Sequence, residues 1–309
     1  MPDLRDARLA ALFTQVFGAP ITAQMLEWKY GDGRGRCTGV FEEGRLVAHC
    51  GVTFRRAVVE GACVTVEQIG DLMATGSKPG GLAREQSAFH LLLRQVFDAM
   101  PRPANPQGIA YGFPSARAMR LAQRLGLVLD VDLMHELHFA PRAGAGSMVE
   151  LDALSARFTA LAARLWREMA AGLGHGLVCV RDAAYLRWRY AQHPTHRYRF
   201  FALRGRWSWR PSMLAVCRAE EDRWELMDLV GHPAYMPQAL RVLQACMAGH
   251  GAGGLMLWLT RAHAQRLGAL ADKVQPLQFH IIANPASCPD QPGRFVDRWW
   301  LTAGDTDYR

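Results

Sequence analysis

A glycine-rich loop is the first segment of the chain whose composition suggests ligand chemistry. It reads Ser-Lys-Pro-Gly-Gly over residues 77–81, between a strand-like run at 63–73 and a helical run at 82–100. The free N–H groups and positive dipole of a first helical turn attract anions, and glycine lets the backbone approach a phosphate closely. Lys78 adds a positive charge. The loop matches neither a P-loop nor a Gly-x-Gly-x-x-Gly turn, so an ordinary Pro-Gly connection stays open as the alternative.

Metal-binding and nucleophilic residues are unfavourably spaced. His193 and His196 flank Pro194, which disfavours a regular helix that could direct both imidazoles at one metal. Three cysteines recur every 13 residues, which matches no zinc spacing: Cys37, Cys50 and Cys63. We therefore expect no metal site. No Cys–His pairing is visible in the sequence either, which favours direct transfer over a cysteine acyl-enzyme.

Three short motifs occur twice in the same order, which indicates an internal duplication. They are Leu-x-Trp-basic-Tyr at 26–30 and 186–190, a strand-ending Asp-Leu at 71–72 and 228–229, and Ala-Gln-Arg-Leu-Gly at 122–126 and 264–268. The repeat predicts an N-terminal domain over residues 1–140 and a C-terminal domain over residues 150–309. Residues 141–149, which begin Pro-Arg-Ala-Gly-Ala-Gly-Ser, are the expected linker.

The spacing of these motifs differs between the copies at one place. Asp71 precedes Ala122 by 51 residues, whereas Asp228 precedes Ala264 by only 36. The second copy therefore lacks about as many residues as a phosphate-binding loop needs, in the region where the first copy has its glycine pair.

Hydrophobic periodicity gives the order of elements in one copy. Two helices precede three strands that tight turns join into antiparallel hairpins, followed by the loop, a helix, a short strand at 108–111, a second helix and a long strand at 127–139. The second copy repeats this order after an added helix at 151–171. The predicted fold class is α+β, with two tandem domains that each contain a mixed, mostly antiparallel twisted sheet flanked by helices.

This order resembles the GNAT superfamily of acyl-CoA-dependent N-acyltransferases, in particular its bacterial tandem-GNAT group. The similar segments are Lys-Pro-Gly-Gly-Leu-Ala at 78–83, Tyr-Gly-Phe-Pro-Ser at 111–115, Arg-Leu-Gly-Leu at 124–127 and the ending at 300–307. Lys78 stands where the family has Gln or Arg. The resemblance implies a transferase of the EC 2.3.1 class that uses acetyl-CoA or another acyl-CoA as co-substrate and a small-molecule or peptide amine as acceptor.

The resemblance also implies where the co-substrate binds. The pantetheine arm would lie between the fourth and fifth strands of the first copy, here 63–73 and 108–111. The implied contact residues are Leu72, Met73, Lys78, Gly80, Gly81, Leu82, Ala83 and Ser115. Backbone N–H groups of Leu72 or Met73 would polarise the thioester carbonyl, whereas Ser115 could instead cap the following helix. Because the second copy has no glycine pair between Leu229 and its next helix, we predict that it does not bind acyl-CoA.

Acyl transfer to an amine needs a base for the amine proton and an acid for the leaving thiolate. By resemblance, Glu67 on the fourth strand is the candidate base, with an exposed strand Glu as the alternative. Tyr111, which is near the family's acid position in sequence but belongs to the strand, is the candidate acid, with a core Tyr as the alternative. The family's usual Tyr position holds Ala122. The repeat favours a structural role for Asp71 and Asp228.

Three functions stay open at this point. The first is direct acyl transfer in a ternary complex, the second a non-catalytic GNAT that binds a ligand or partner, and the third an aminoacyl-tRNA-dependent transferase similar to peptidoglycan-bridge enzymes. Acetyl-CoA binding, thiol release and salt-dependent RNA binding would distinguish them.

Composition restricts the partners further. The 309 residues carry a net charge of +8, but Arg supplies nearly all of it and is spread along the chain, so nucleic acid is not an expected partner. No apolar run approaches a membrane span and no signal peptide is visible, which predicts a cytoplasmic protein. The pair Trp207 and Trp209 could bind a ring. The oligomeric state stays open.

Overall fold

The structure, a computed structural model, describes residues 6–75, 87–100, 103, 105–284 and 293–306. The helices are α1 (Ala7–Phe17), α2 (Ala23–Tyr30), α3 (Ala88–Asp98), α4 (Ala116–Arg124), α5 (Ala156–Leu173), α6 (Ala183–Leu186), α7 (Met236–Met247) and α8 (Arg261–Gly268). The strands are β1 (Gly35–Glu42), β2 (Arg45–Val59), β3 (Ala62–Ala74), β4 (Ala110–Gly112), β5 (Leu129–Phe139), β6 (Gly146–Leu151), β7 (Leu177–Cys179), β8 (Arg199–Gly205), β9 (Met213–Ala219), β10 (Trp224–Val230), β11 (Leu255–Thr260), β12 (Lys273–Ala283) and β13 (Trp299–Trp300).

The chain divides into two compact units that do not follow the sequence halves. Unit 1 consists of Met1–Arg56, Val64–Val131 and Gln278–Val296, and unit 2 of Ala57–Cys63, Asp132–Leu277 and Asp297–Arg309. Each unit therefore includes segments from both halves of the sequence.

The sheet of unit 1 contains one parallel pair among antiparallel neighbours. β1 pairs with β2 antiparallel, β3 pairs with β4 parallel, and β4 pairs with β12 antiparallel. On one face of this sheet, a core cluster joins strand residues that include Cys50 and Ile69 with the buried residues of α3 and α4. On the other face, Tyr30 of α2 lies so close to Gly51 that a Cβ there would meet the Tyr30 hydroxyl at 2.0 Å. Successive residues of a strand face opposite sides, so helices cover both faces of this sheet.

Unit 2 contains a mostly antiparallel sheet in the order β6-β8-β9-β10-β11-β5. β10 and β11 form the one parallel pair in this series, and β5 pairs with β11 antiparallel. All seven residues of β10 are buried. Residues Gly146–Leu151, which fall partly in the expected linker, form β6 and pair with β8.

The α+β fold class is confirmed, with mixed, mostly antiparallel sheets flanked by helices. Two elements differ locally from expectation. Helix α3 begins at Ala88 rather than Leu82 because Ser87 has extended dihedrals and its hydroxyl accepts the His90 N–H. The helix expected to end at Tyr190 finishes as a π-helical turn over Arg187–Ala191. Within the described residues, no helix is both long and apolar enough to cross a membrane.

Candidate functional site

The parallel ladder between β3 and β4 is short and leaves a gap where it ends. Its register runs from Glu67 opposite Ala110 to Ile69 opposite Gly112. Strand β4 stops at Gly112, whereas β3 continues to Ala74. Among the described residues, no strand pairs with residues 70–74 on the side of β4, so polar backbone groups of β3 border a gap in the sheet there.

Gly112 is required at the last rung of this ladder. A Cβ at this position would lie 3.0 Å from the Ile69 carbonyl oxygen and 3.3 Å from its side chain. The glycine in the Tyr-Gly-Phe-Pro-Ser motif thus allows the two strands to approach closely immediately before they separate.

Asp71 lies at the beginning of the gap in a conformation that non-glycine residues seldom adopt, with φ +43°. Its carboxylate accepts hydrogen bonds from Lys29 Nζ at 2.6 and 2.7 Å and from the Tyr30 hydroxyl at 2.6 Å. Its carbonyl oxygen lies 3.1 Å from His49 Nδ1. Helix α2 therefore fixes the irregular backbone of β3, and Asp71 has the structural role that the repeat predicted.

Leu72 and Met73 follow Asp71 along the edge of the gap and belong to different cores. Leu72 packs against the cluster that includes α3 and α4, and Met73 against the cluster that includes α1 and α2. The two side chains therefore lie on opposite faces of the sheet, and their backbone N–H and C=O groups lie near the plane of the sheet, perpendicular to the strand. This arrangement fits the predicted use of their N–H groups.

Glu67 is a buried carboxylate, with only 1% of its surface exposed. Its Oε2 lies 3.0 Å from Arg36 Nη2, and Arg36 also donates to the Val96 carbonyl at the end of α3 at 3.0 Å. Burial raises the pKa of Glu67 to about 7, against the opposing effects of the Arg36 charge and a hydrogen bond to Asn105. A carboxyl group with this pKa can exchange a proton near neutral pH.

Tyr111 does not share a face of the sheet with Glu67. Its hydroxyl donates to Gln68 Oε1 at 3.0 Å, and Arg55 donates to the same oxygen at 3.0 Å. Gln68 and Glu67 are consecutive in β3 and so point to opposite sides. The structure therefore does not bring the candidate base and the candidate acid together.

The remaining predicted contact residues fall into two groups. The Ser115 hydroxyl accepts the Ala118 N–H at 3.4 Å as the N-cap of α4, and Ala122 is buried in the core beside α3. Lys78, Gly80, Gly81, Leu82 and Ala83 lie outside the residues that the structure describes.

Two residues of this region had no visible signal in the sequence. Arg36 of β1, which lies 31 residues before Glu67 in the sequence, forms an ion pair with it. His49 of β2 contacts the backbone carbonyl of Asp71. Burial lowers the pKa of His49, so its imidazole is neutral at pH 7. An alternating strand pattern marks such positions as buried but does not say what they contact.

The second repeat makes the same contact between its tyrosine and its aspartate. Tyr190 donates to Asp228 Oδ2 at 3.0 Å, as Tyr30 does to Asp71. The parallel ladder between β10 and β11 ends at Leu226, two residues before Asp228, just as the β3–β4 ladder ends two residues before Asp71. In both copies, the tyrosine of the motif therefore binds an aspartate that lies two residues beyond the end of a parallel strand pair.

In the second repeat, however, the chain itself occupies the gap. Thr302 forms an antiparallel bridge with Leu259 of β11, and a Cβ at Gly304 would lie 2.8 Å from the Met227 carbonyl oxygen of β10. A 3₁₀ turn over Ala303–Asp305 therefore lies against both strands beyond the end of their ladder. This space is closed to a ligand unless the turn leaves.

Two buried arginines hold this C-terminal segment. Arg181, which is fully buried, donates to Asp305 and lies 3.2 Å from Asp228. Arg189 donates to the carbonyl oxygen of Gly304 at 2.7 Å and also to that of Thr306. The attraction of the two carboxylates raises the pKa of Arg181 well above its usual value despite the opposing effect of burial, so the segment is bound by a permanent charge.

Comparison with known families identifies the class of protein. Residues 7–127, which include α1 to α4 and the β3–β4 gap, match the family model of the acetyltransferase (GNAT) domain. Over these residues the chain is similar to GNAT acetyltransferase domains, and acyl transfer is the general chemistry that the match supports. No curated protein matches the sequence. Among the described residues, no group of three or more His, Cys, Asp or Glu side chains could hold a metal ion.

Solved structures with the same fold include three bacterial proteins. A probable N-acyltransferase from Enterococcus faecalis has a TM-score of 0.66 at 11% identity, over 89% of this chain and 68% of that one. A GCN5-related N-acetyltransferase from Kribbella flavida has a TM-score of 0.64 at 14% identity, over 89% and 67%. Another from Anabaena variabilis has a TM-score of 0.64 at 12% identity, over 89% and 69%. At these identities the likeness establishes the fold.

Proposed function

We propose that this protein is an acyl-CoA-dependent N-acyltransferase that binds the acyl-pantetheine arm in the gap between β3 and β4. The observation that carries the proposal is the end of the β3–β4 ladder at Ile69 and Gly112, because it leaves the backbone of residues 70–74 available for hydrogen bonds. The pyrophosphate would bind the loop at 78–83, and the acceptor would be an amine of a small molecule or peptide.

The proposal includes a duplication in which the two copies have different roles. The equivalent contacts of Tyr30 and Tyr190 support two related copies of one sequence repeat, and we place the end of the first copy near residue 140 and the start of the second near residue 150. The C-terminal turn in the second gap supports acyl-CoA binding by the first copy only. The second copy would then act as a scaffold.

The chemistry we propose is direct transfer in a ternary complex. The acceptor amine attacks the thioester carbonyl carbon, a C–N bond forms, the C–S bond breaks, and the thiolate leaves as CoA. Backbone N–H groups of Leu72 or Met73 would stabilise the oxyanion. Glu67 would take the amine proton through water, since it is buried and paired with Arg36.

The proposal does not pair Tyr111 with Glu67 as acid and base, and a substitution tests whether Tyr111 acts as the acid at all. Its hydroxyl faces Gln68 on the other side of the sheet, so an acid role would require a separate path to the sulfur. Substitution Tyr111→Phe distinguishes the two possibilities: a loss of kcat with unchanged acetyl-CoA affinity supports the acid role, and unchanged kcat removes it.

Calorimetry with acetyl-CoA provides the main test. We expect one binding site per chain, with affinity abolished by Gly81→Asp, which places a negative charge on the predicted pyrophosphate loop. The matched control is His232→Asp at the corresponding connection of the second copy, where His232 already caps the next helix, and its affinity should be unchanged. The reverse pattern, or two sites, would contradict the proposal.

A non-catalytic GNAT is the second candidate, and one observation favours it. The position of the family tyrosine holds the buried Ala122, which cannot donate a proton. Thiol release measured with a panel of amines separates the candidates, because a binding protein would take up acetyl-CoA in calorimetry without releasing CoA with any acceptor.

A further inference from the structure

The turn between β8 and β9 exposes two tryptophans almost completely. Trp207 and Trp209 are 85% and 95% exposed, whereas Trp224, Trp299 and Trp300 in the same unit are 3% exposed or less. A tryptophan side chain can bury 150–250 Å² of largely apolar surface. Two such side chains left in water within three residues therefore represent a substantial exposed apolar surface at the tip of one hairpin.

The hairpin does not need these side chains in order to form. The Ser212 N–H donates to the Leu203 carbonyl at 2.9 Å and closes the ladder below the tip. Within the tip, the Ser208 N–H donates to Gly205 at 3.1 Å and the Ser208 hydroxyl donates to the Arg210 carbonyl at 2.6 Å. The backbone is thus ordered by its own hydrogen bonds, and the tryptophans are available for another contact.

The charges of the tip are all of one sign. Arg204, Arg206 and Arg210 are exposed, and residues 204–212 contain no acidic residue. The Arg206 guanidinium lies over the Trp207 ring, 4.8 Å from its centroid. Like charges oppose contact between two copies of this tip, so the surface complements an anionic partner.

We propose that this hairpin tip, residues 204–210, docks on an anionic lipid surface. Tryptophan is favoured at the boundary between lipid headgroups and hydrocarbon, where its ring is buried and its N–H stays near water. Arginines beside it are attracted to anionic headgroups. A fluid surface accepts both rings without a shaped pocket, whereas a single-stranded nucleic acid requires a positive groove that follows its backbone. Here the charges are confined to one turn.

Co-sedimentation with lipid vesicles tests the proposal on the full chain. We expect binding to vesicles of phosphatidylcholine mixed with phosphatidylglycerol, and at least about tenfold weaker binding to phosphatidylcholine alone, since each Arg near an anionic surface contributes roughly fivefold. The double variant Trp207→Ser/Trp209→Ser should lose most of the binding. Arg206→Gln/Arg210→Gln should weaken binding to the mixed vesicles only.

The matched control removes two exposed arginines from α5 of the same unit, as Arg157→Gln/Arg167→Gln, and should bind as the unmodified protein does. Because all six positions are exposed, unchanged thermal unfolding should confirm that every variant is folded. The proposal is overturned if the tryptophan variant binds mixed vesicles normally. It is equally overturned if the tip variants lose binding to an oligonucleotide or lose self-association while the protein never binds vesicles.

Discussion

The sequence predicts Glu67 as a candidate base from its residue type and its place in the strand, but the pKa of Glu67 depends on residues that lie far from it in the sequence. A glutamate in the middle of an alternating strand is compatible with an exposed face. The structure instead buries it beside Arg36 and the end of α3. Its raised pKa follows from this environment and is the property that a general base near neutral pH requires.

The pKa of Glu67 predicts a pH dependence of stability. The folded value of about 7 lies above the reference value of 4.5, so the native state retains a proton that the unfolded chain has lost. The resulting stabilisation is fully present below pH 4.5 and disappears as the pH rises through 7. Relative to Glu67→Gln, the unfolding free energy of the unmodified protein should therefore fall by on the order of 3 kcal/mol between these limits.

Urea unfolding of both proteins at several pH values measures this difference. The Gln variant serves as the control, since every other titrating group is common to the two. A difference that stays constant with pH would mean that Glu67 remains ionised in the folded protein. The same variant should remove the rising limb near pH 7 from a plot of kcat/KM against pH.

The two tyrosines of the repeated motif allow a matched comparison. Tyr30→Phe and Tyr190→Phe each remove one hydrogen bond to a carboxylate that keeps a basic partner. Each should lower the unfolding free energy by about 1–3 kcal/mol, because the carboxylate oxygen that loses the tyrosine hydroxyl is buried. Tyr235→Phe, at a half-exposed position, is the control. An unaffected Tyr30→Phe variant would mean that this hydroxyl does not hold Asp71.

At the scale of elements, the two splayed strand pairs are alike in geometry and differ in occupancy. In the sequence, the glycine-rich segment follows the strand β3 that borders the first gap, whereas the C-terminal turn lies in the β10–β11 gap. Deleting the loop from the second copy and filling its gap are complementary changes. Under the proposed function, these changes would let the second copy do without a ligand, because the C-terminal turn contacts the backbone groups that a ligand would otherwise contact.

Truncation tests the importance of the C-terminal segment. Removal of residues 302–309 takes away Asp305 and leaves Arg181 with one carboxylate partner in a fully buried position. We expect a loss of about 3–5 kcal/mol, since removing partners from a buried network of ion pairs and hydrogen bonds is strongly destabilising. Removal of residues 307–309 alone is the control and keeps every contact named above. Equal denaturation midpoints for the two truncations would show that the segment does not stabilise unit 2.

At the scale of the whole molecule, the halves of the sequence exchange strands. β12 of the second half pairs with β4 inside unit 1, and β5 of the first half pairs with β11 inside unit 2. Neither half therefore contains all the strands of one compact unit.

Expression of the halves tests this exchange. Residues 1–140 and 150–309, produced separately, should each fail to give a cooperative unfolding transition, because the isolated halves leave strand edges unpaired. Calorimetry measures the transition, with the full chain as the control. Cooperative unfolding of the isolated first half would contradict the requirement for β12.

Local patterns predicted the elements well. The antiparallel hairpins, the short strand before α4 and the two Leu-x-Trp-basic-Tyr helices could all be read from periodicity and turn residues. The start of α3 was misplaced because Ser87 is a stronger cap than the pattern alone indicates. The resemblance to GNAT proteins was also visible, since it rests on short motifs in a fixed order.

The sequence by itself determined that the chain repeats a motif, the order of most helices and strands but not β6 or β7, and that Asp71 and Asp228 have equivalent places. Only the tertiary structure decided that Glu67 pairs with Arg36, that Tyr111 faces away from it, and that the C-terminal turn lies in the second gap. The physical reason is one of range. Periodicity and capping depend on residues within a few positions of one another, whereas strand pairing, burial and charge partners depend on segments that only the folded chain brings together.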